Sequence, residues 1–470
     1  HSGYSFDAYV FGNTTLPADA YRYARGEALD HPSGYSIQLQ EALDFYAVTD
    51  HAMFMGLVRD AADTNSRFSQ YAVAEPLHNI NAWYNMNDLS LAGRARNFAA
   101  FLTNSVAEIL DGTIDPLVVE AVTKSAWQDT VLAADEAYVP GTFTTFAAFE
   151  YTTSTDDMGN LHRNVIFRDS DLLPAVPFSR FNSQNPEGLW QWMDDLRSQG
   201  IESLAIPHNS NGSNGQMFKL TDWAGDPRED DYSTKRLRNE PLVEITQVKG
   251  TSDTHPLLSK NDEWANFEIF PMRTSTRIPS DPHGSYVRNA WQRGLSMDES
   301  NGANPYKFGV VGASDTHTGA ASLEEDNYFG KASLGEPVAG NEERYHERIT
   351  GYIDDPLGRD YKILHASTSA AGLAAVWTRE NSREAIWDAM KRREVYATTG
   401  PRIKVRVFGG RDFPDGAVDS PNFVGQGYSL GVPMGARAGA APVAGARRGA
   451  AADGPHRDRH DSLCWLRGDH

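Results

Sequence analysis

Apolar runs of strand length recur along the chain, and each is followed by polar residues of metal-binding type. Four such runs cover 43–49, 143–149, 201–207 and 307–312, and the residues that follow them are Asp50 and His51, Glu150, His208, and Asp315 and His317. Continuous apolar runs between polar turns are typical of buried parallel strands. In a parallel barrel the carboxyl ends of the strands converge on one face. The pattern therefore predicts that these polar side chains meet.

Helical patterns lie between the predicted strands. Segment 186–198 places its large apolar residues on one helical face and is followed by a glycine, a residue typical of helix ends. A second helix is predicted from Asn381 or Ser382 through Arg393, and a strand follows at 395–399. Alternation of helices and strands predicts an α/β fold.

Composition divides the chain into two parts. Residues 1–420 have the mixed composition of a globular domain, and the 470-residue chain is 40% hydrophobic, enough for one large core. Residues 421–470 form an atypical segment, rich in Ala, Gly and Arg from Ala436 onward. It is interpreted as a disordered tail or as a frame-shifted end, and no function is assigned to it. The apolar runs are too short to predict a membrane span.

Charge and cysteine content restrict the function classes. The formal net charge of −20 opposes binding to a phosphate backbone, so nucleic acid is not an expected partner. The single cysteine, Cys464, excludes a disulfide framework and a thiolate zinc site. Any metal ion must therefore be bound through nitrogen and oxygen.

The sequence offers a set of nitrogen and oxygen ligands that suits zinc, manganese or iron. The candidate metal ligands are His1, Asp7, His51, Glu150, His162, His208, Asp315 and His317. Each has an ordinary alternative on its own: Glu150 could pair with an arginine, His162 could lie on a loop, and His208 could cap a turn. Their co-occurrence, with His51, Glu150, His208, Asp315 and His317 placed after apolar runs, favours a site with two or three divalent metal ions, which activates water as hydroxide.

Two of these motifs carry a resemblance. Thr49-Asp50-His51 and the segment 312–317 resemble the polymerase and histidinol phosphatase (PHP) superfamily. The resemblance implies a distorted seven-stranded β/α barrel, here with insertions, and a trinuclear metal site. The segment from His1 to Asp7 is similar to the second half of the first PHP motif, and its first histidine would lie two positions before His1.

A closer resemblance, over about residues 1–435, is to the family designated domain of unknown function 3604. The segments that carry it are 4–9, 141–151, 161–165, 206–211, 243–250 and 392–402. The resemblance implies that Glu150 bridges metal ions, while the other ligands complete the individual ion sites. It also implies that Asp50 orients a ligand or a water.

Basic residues near these motifs indicate a small anionic substrate, of which an organic phosphate is the first candidate. The residues predicted to take part in catalysis are Asp50, Arg163, Lys249 and His255. Arg163 and Lys249 have salt-bridge or surface roles as equal alternatives. The resemblance favours a phosphoesterase acting on a monoester or a diester. A metallohydrolase of carboxylic ester, amide or lactone bonds and a non-catalytic metal-binding domain remain alternatives. A periplasmic or secreted location is favoured, and the oligomeric state stays open.

Overall fold

The structure is a computed structural model that combines helices with small sheets. It describes residues 1–32, 34–86, 91–227, 230–273, 275–276, 278–335, 352–353, 361–362 and 368–436. The strands are β1 Leu29–Asp30, β2 Ser36–Ile37, β3 Phe45–Tyr46, β4 Thr144–Thr145, β5 Ala148–Tyr151, β6 Arg163–Phe167, β7 Ser203–Pro207, β8 Leu242–Gln247, β9 Gly250–Thr251, β10 Gly309–Gly312, β11 Tyr352–Ile353, β12 Tyr361–Lys362, β13 Leu373–Val376, β14 Val395–Thr398, β15 Phe408–Gly409 and β16 Val432–Pro433.

The helices lie mainly between the strands and before β4. They are α1 Phe6–Val10, α2 Pro17–Ala24, α3 Leu57–Ala62, α4 Trp83–Met86, α5 Leu91–Leu110, α6 Pro116–Ala137, α7 Pro186–Ser198, α8 Asp230–Asn239, α9 Val287–Asn301, α10 Arg383–Arg392 and α11 Phe423–Leu430. Within the described residues, no helix is both long enough and apolar enough to cross a membrane. Of the predicted tail, the part up to residue 436 contains α11 and β16, and 437–470 lie outside the described residues.

Both predicted helices are confirmed, and each begins at a side-chain cap. The Asn185 side chain accepts a hydrogen bond from the Glu187 backbone N at 2.8 Å at the start of α7. Ser382 caps α10 in the same way, because its hydroxyl accepts from the Ala385 backbone N at 3.3 Å. These contacts satisfy backbone donors that the first turn of a helix leaves unpaired, so the local sequence determines where each helix begins.

The directions of the strands explain how residues that are distant in the chain reach the same edge of a sheet. Strands β3 and β4 pair in parallel, and a parallel bridge between His51 and Glu150 extends that pairing. Strand β6, in contrast, is antiparallel to both of its neighbours, β5 and β7. Arg163, the first residue of β6, is therefore paired with Tyr151 at the end of β5 and with Pro207 at the end of β7. The beginning of β6 thus lies beside the ends of β5 and β7.

A shared apolar core holds these strands in place. Its buried members from the strands and the segments beside them are Phe146, Ala148, Ile166, Leu204, Ile206, Leu242, Val311 and Val395. Helix α10 contributes Ile386, Trp387 and Met390 to the same core. Burying a large apolar side chain stabilises the folded state by about 1.5–3 kcal/mol relative to leaving it exposed to water. Packing against one core fixes the strand ends, and therefore the polar residues attached to them.

Candidate metal centre

One buried carboxylate occupies the middle of the site. Glu150, near the end of β5, is 1% exposed. Its Oε1 atom lies 3.1 Å from His51 Nδ1 and 2.8 Å from His162 Nδ1. Its Oε2 atom lies 3.3 Å from His1 Nε2 and 3.3 Å from His208 Nε2. Four imidazoles from separate parts of the chain therefore face a single carboxylate.

Two further carboxylates complete the cluster. Asp7 Oδ1 lies 3.3 Å from His51 Nε2, and Asp7 Oδ2 lies 3.0 Å from His317 Nδ1. Asp315 Oδ1 lies 3.2 Å from His317 Nε2 and 3.2 Å from His1 Nε2. The structure thus brings all eight residues predicted as metal ligands into one connected group.

Local backbone geometry places these side chains. His51 forms the parallel bridge to Glu150, which sets the two residues side by side. Asp315 adopts a left-handed backbone conformation with φ of 53°, and it lies three residues beyond the end of β10. Aspartate visits this region more readily than most residues, and such conformations cluster at functional sites. His162 immediately precedes the reversed strand β6, which explains how a residue before a strand reaches the same edge as Glu150.

Burial and charge within the cluster set the protonation states of its side chains. Burial alone would raise the pKa of Glu150, but His51, His208 and His162 hold that pKa well below its usual range. Burial opposes protonation of His51, yet Glu150 and Asp7 outweigh it and raise the pKa of His51 to about 10. Burial lowers the pKa of His162 to about 4 despite the nearby Glu150. Glu150 is therefore ionised and His162 neutral at pH 7, as metal coordination requires, whereas His51 carries a proton that metal binding would have to displace.

The donor set fits metal ions. Three groups have ligand atoms within 4.8 Å of one another, and they are His1 with His51 and His317, Glu150 with His162 and His208, and His1 with Glu150 and Asp315. His51 Nε2 and both ring nitrogens of His208 are buried and make no hydrogen bond to any described residue. Buried polar atoms normally have a partner, and imidazole nitrogen facing carboxylate oxygen is the ligand combination that divalent zinc or manganese takes.

Asp50 lies behind the ligands. It is fully buried and accepts hydrogen bonds from Ser2 N at 2.6 Å, Ser2 Oγ at 2.5 Å and Ser5 Oγ at 2.7 Å. The Ser5 hydroxyl lies 2.9 Å from His1 Nδ1 and accepts from His51 N at 3.1 Å. Ser5 therefore connects Asp50 to His1 and His51, and the role of Asp50 in orienting a ligand or a water stays a prediction.

Of the three basic residues predicted to contact substrate, the structure brings Lys249 to the cluster. Its Nζ atom lies 2.5 Å from Asp315 Oδ2. Arg163 is directed elsewhere, since its Nε atom donates to Glu240 Oε1 at 2.9 Å. His255 has a different neighbour as well: its ring centroid lies 5.4 Å from that of Tyr286, and the two rings are tilted by 50°. The structure therefore shows Arg163 and His255 with partners other than the predicted metal ligands, and their catalytic roles stay predictions.

Other residues of the centre were not predicted. Gln247 Nε2 donates to Asp315 Oδ2 at 2.7 Å, and Thr152 Oγ1 lies 2.6 Å from His51 Nδ1. Glu244 is 1% exposed, and its Oε2 atom has no hydrogen-bond partner among the described residues. Burial, opposed by His208 and reinforced by Asp315, raises the pKa of Glu244 to about 7. A carboxylate inside the apolar strand β8 was the available sequence signal for Glu244.

The centre contains five histidines and three carboxylates, and groups of three among them are able to hold metal ions. Residues 1–447 match the family described as "Protein of unknown function (DUF3604)", and the chain belongs to that family. Comparison with curated proteins and with solved structures gave no match.

Proposed function

We propose that this chain is a metal-dependent hydrolase, and that its substrates are phosphoesters. The observation that carries the proposal is Glu150, a buried carboxylate within 3.3 Å of four histidine nitrogens. Two or three divalent ions, manganese, zinc or iron, would be held by the eight ligands. When bound, such ions supply Lewis acidity and activate water as a nucleophile.

The proposed fold is a distorted seven-stranded β/α barrel of the PHP type, with insertions. Two observations support it. Strands β3 and β4, and strands β8 and β10, pair in parallel, while β6 is reversed. Side chains from several of these pairs share one apolar core with α10. The placement in the PHP superfamily is part of this proposal.

The chain's own residues favour an anionic substrate. The Lys249 ammonium group lies 2.5 Å from Asp315 Oδ2 and is nearly buried. Lys331 is close by, because its backbone oxygen accepts from His317 N at 2.6 Å and its charge interacts with Asp315 and Lys249. Two ammonium groups beside the metal ligands would attract phosphate oxygens and hold them through charge-assisted hydrogen bonds.

Metal removal tests the proposal directly. We expect the purified protein to contain divalent metal, measured by elemental analysis, and to hydrolyse nitrophenyl phosphate monoesters or diesters. Chelation should abolish this activity and lower the melting temperature, since a bound ion stabilises the folded state, and manganese or zinc should restore both. A matched panel of nitrophenyl carboxylic esters distinguishes phosphoester from carboxylic ester hydrolysis. Metal-loaded protein inactive on all of these substrates would contradict the proposal.

Replacing Lys249 tests the anion-binding role. We expect Lys249→Met to raise the KM for a nitrophenyl phosphate by about tenfold or more, because one charge-assisted contact of roughly 1.5–3 kcal/mol is lost. Metal content should change little, since Lys249 is not a ligand. Lys307→Met is the matched control, because Lys307 pairs with Asp298 away from the centre. An unchanged KM in the Lys249 variant would remove Lys249 from the substrate site.

A further inference from the structure

A cavity of about 360 Å³ lies outside the metal centre. Its walls come from β8, from residues 251–267, from α9 and from the end of β14, and they include Ile245, Phe267, Arg288 and Thr399. This volume is within the range of about 300–1,000 Å³ that is typical of small-molecule sites. The cavity shares strand β8 with the metal centre, but its lining residues and the proposed ligands are different residues.

The charged residues of the cavity wall carry a net negative charge. They are Asp253, Asp262 and Arg288. Arg288 Nη2 lies 2.5 Å from Asp253 Oδ2, and Arg288 Nη1 lies 2.5 Å from Asp262 Oδ2. One guanidinium group therefore faces two carboxylates, and the three side chains together carry a net charge of −1. Such a wall attracts a cation and repels an anion.

Aromatic rings and unpaired hydroxyl groups complete the cavity. Trp264 and Phe267 are 73% and 48% exposed, so their rings are open to a ligand from solvent. Aromatic faces attract ammonium groups, most strongly quaternary ones. The hydroxyl oxygens of Thr246 and Thr398 are buried and have no hydrogen-bond partner in the described part of the chain. Both threonines line the cavity, so its wall offers buried hydroxyl groups in addition to the charged side chains.

We infer that this cavity is a second binding site, and that its ligand is a small organic cation with an apolar body and an ammonium head group. The apolar wall buries the body of the ligand, while the carboxylates and the aromatic rings select its charge. The inference is independent of the proposed hydrolase activity, because it involves none of the proposed metal ligands.

Three probes with the same ring test this inference on the full chain by isothermal titration calorimetry. They are benzyltrimethylammonium, benzyl alcohol and benzenesulfonate. We expect the ammonium probe to bind about tenfold or more tightly than the alcohol, and the sulfonate to bind no better than the alcohol. Equal affinity for all three, or no measurable binding of the ammonium probe, would overturn the inference.

Variants locate the site and separate charge from structural damage. Asp262→Asn retains the side-chain oxygen that accepts from Trp264 N at 3.0 Å, yet it removes one negative charge, so it should weaken ammonium binding several-fold. Arg288→Gln removes the opposing positive charge and should tighten ammonium binding. Structural damage to the cavity would weaken binding in both variants, and that outcome would overturn the inference.

Trp264→Ala tests the aromatic part of the site and should weaken binding of the ammonium probe. Trp83→Ala is the control, at an 85% exposed tryptophan outside the cavity wall, and should not weaken it.

Discussion

Glu150→Gln is expected to abolish turnover and to remove most of the bound metal. The substitution keeps the size of the side chain but removes the charge that four imidazoles face within 3.3 Å. Loss of an outer-shell partner alone typically costs a factor of about 10–100 in metal affinity or activity, so loss of the proposed ligand Glu150 should cost more than about a hundredfold. Metal content by elemental analysis and kcat/KM on a nitrophenyl phosphate are the measurements.

Glu394→Gln is the matched control for this prediction. Glu394 is also buried, at 7% exposed, but it contacts Arg392 and Tyr428 away from the cluster. Its replacement should leave metal content and kcat/KM within about twofold of the starting protein, because its contacts with Arg392 and Tyr428 involve no proposed metal ligand. If the two variants retained the same metal content, Glu150 would not be a ligand.

A companion variant, His208→Ala, separates metal loss from unfolding. His208 Nε2 faces Glu150 Oε2 at 3.3 Å, and neither ring nitrogen makes a hydrogen bond to any described residue, so truncation removes one ion-pair contact but no hydrogen bond. The protein should therefore keep its circular dichroism spectrum while losing metal and activity. Unchanged activity in both the His208 and the Glu150 variants would defeat the assignment of this centre.

The positions of the strand ends could be predicted from sequence because burial leaves a simple pattern. Strands β7 and β10 lie within the predicted apolar runs, and they are followed by His208 and Asp315. The run at 143–149 forms two short strands, β4 and β5, and Glu150 lies within the second. An apolar run predicts where a strand lies along the chain, but it does not predict which other strand pairs with it.

The reversed strand is the clearest example of that limit. Nothing in the residues of β6 indicates that it pairs antiparallel with both neighbours, because pairing depends on partners that are distant in the chain. His162 therefore entered the predicted ligand set through residue type and family resemblance. The direction of the next side chain, Arg163, was equally inaccessible, since it depends on Glu240 in a different segment.

Lys331 and Glu244 illustrate a second limit. A lysine or glutamate within a chain of mixed composition is most often a solvent-exposed residue, so neither residue type indicates a buried site. Lys331 reaches the centre because His317 N donates to its backbone oxygen, a contact between neighbouring loops. Tertiary contacts of this kind determine the surroundings of the metal ligands, while the sequence motifs indicate the ligands themselves.

Glu240→Gln is expected to cause the largest loss of stability. Glu240 is 1% exposed and accepts from Arg163 Nε at 2.9 Å, from Arg236 Nε at 3.0 Å and from Trp190 Nε1 at 2.7 Å. Removing its charge leaves two buried guanidinium groups without a counter-ion. Breaking a buried pair in this way typically costs about 3–5 kcal/mol of the free energy of unfolding, measurable by urea denaturation near pH 7.

The pH dependence gives this prediction a definite sign. Burial would raise the pKa of Glu240, but Arg163 and Arg236 outweigh it and hold that pKa below the ordinary value of 4.5. The charged form therefore stabilises the fold above pH 4.5, and this contribution is lost as the pH falls through the lower, folded-state pKa. The stability difference between Glu240→Gln and the starting protein should consequently shrink in acid.

An exposed ion pair provides the control, and the result also decides the role of Arg163. Glu27 pairs with Arg22 at 3.0 Å with both side chains about half exposed, so Glu27→Gln should leave the free energy of unfolding nearly unchanged. If Arg163 instead bound substrate, Glu240→Gln would change the KM for a phosphoester and leave stability nearly unchanged. Because two buried cations share the Glu240 carboxylate, we expect the stability loss, and a stable variant with altered KM would restore Arg163 to the substrate site.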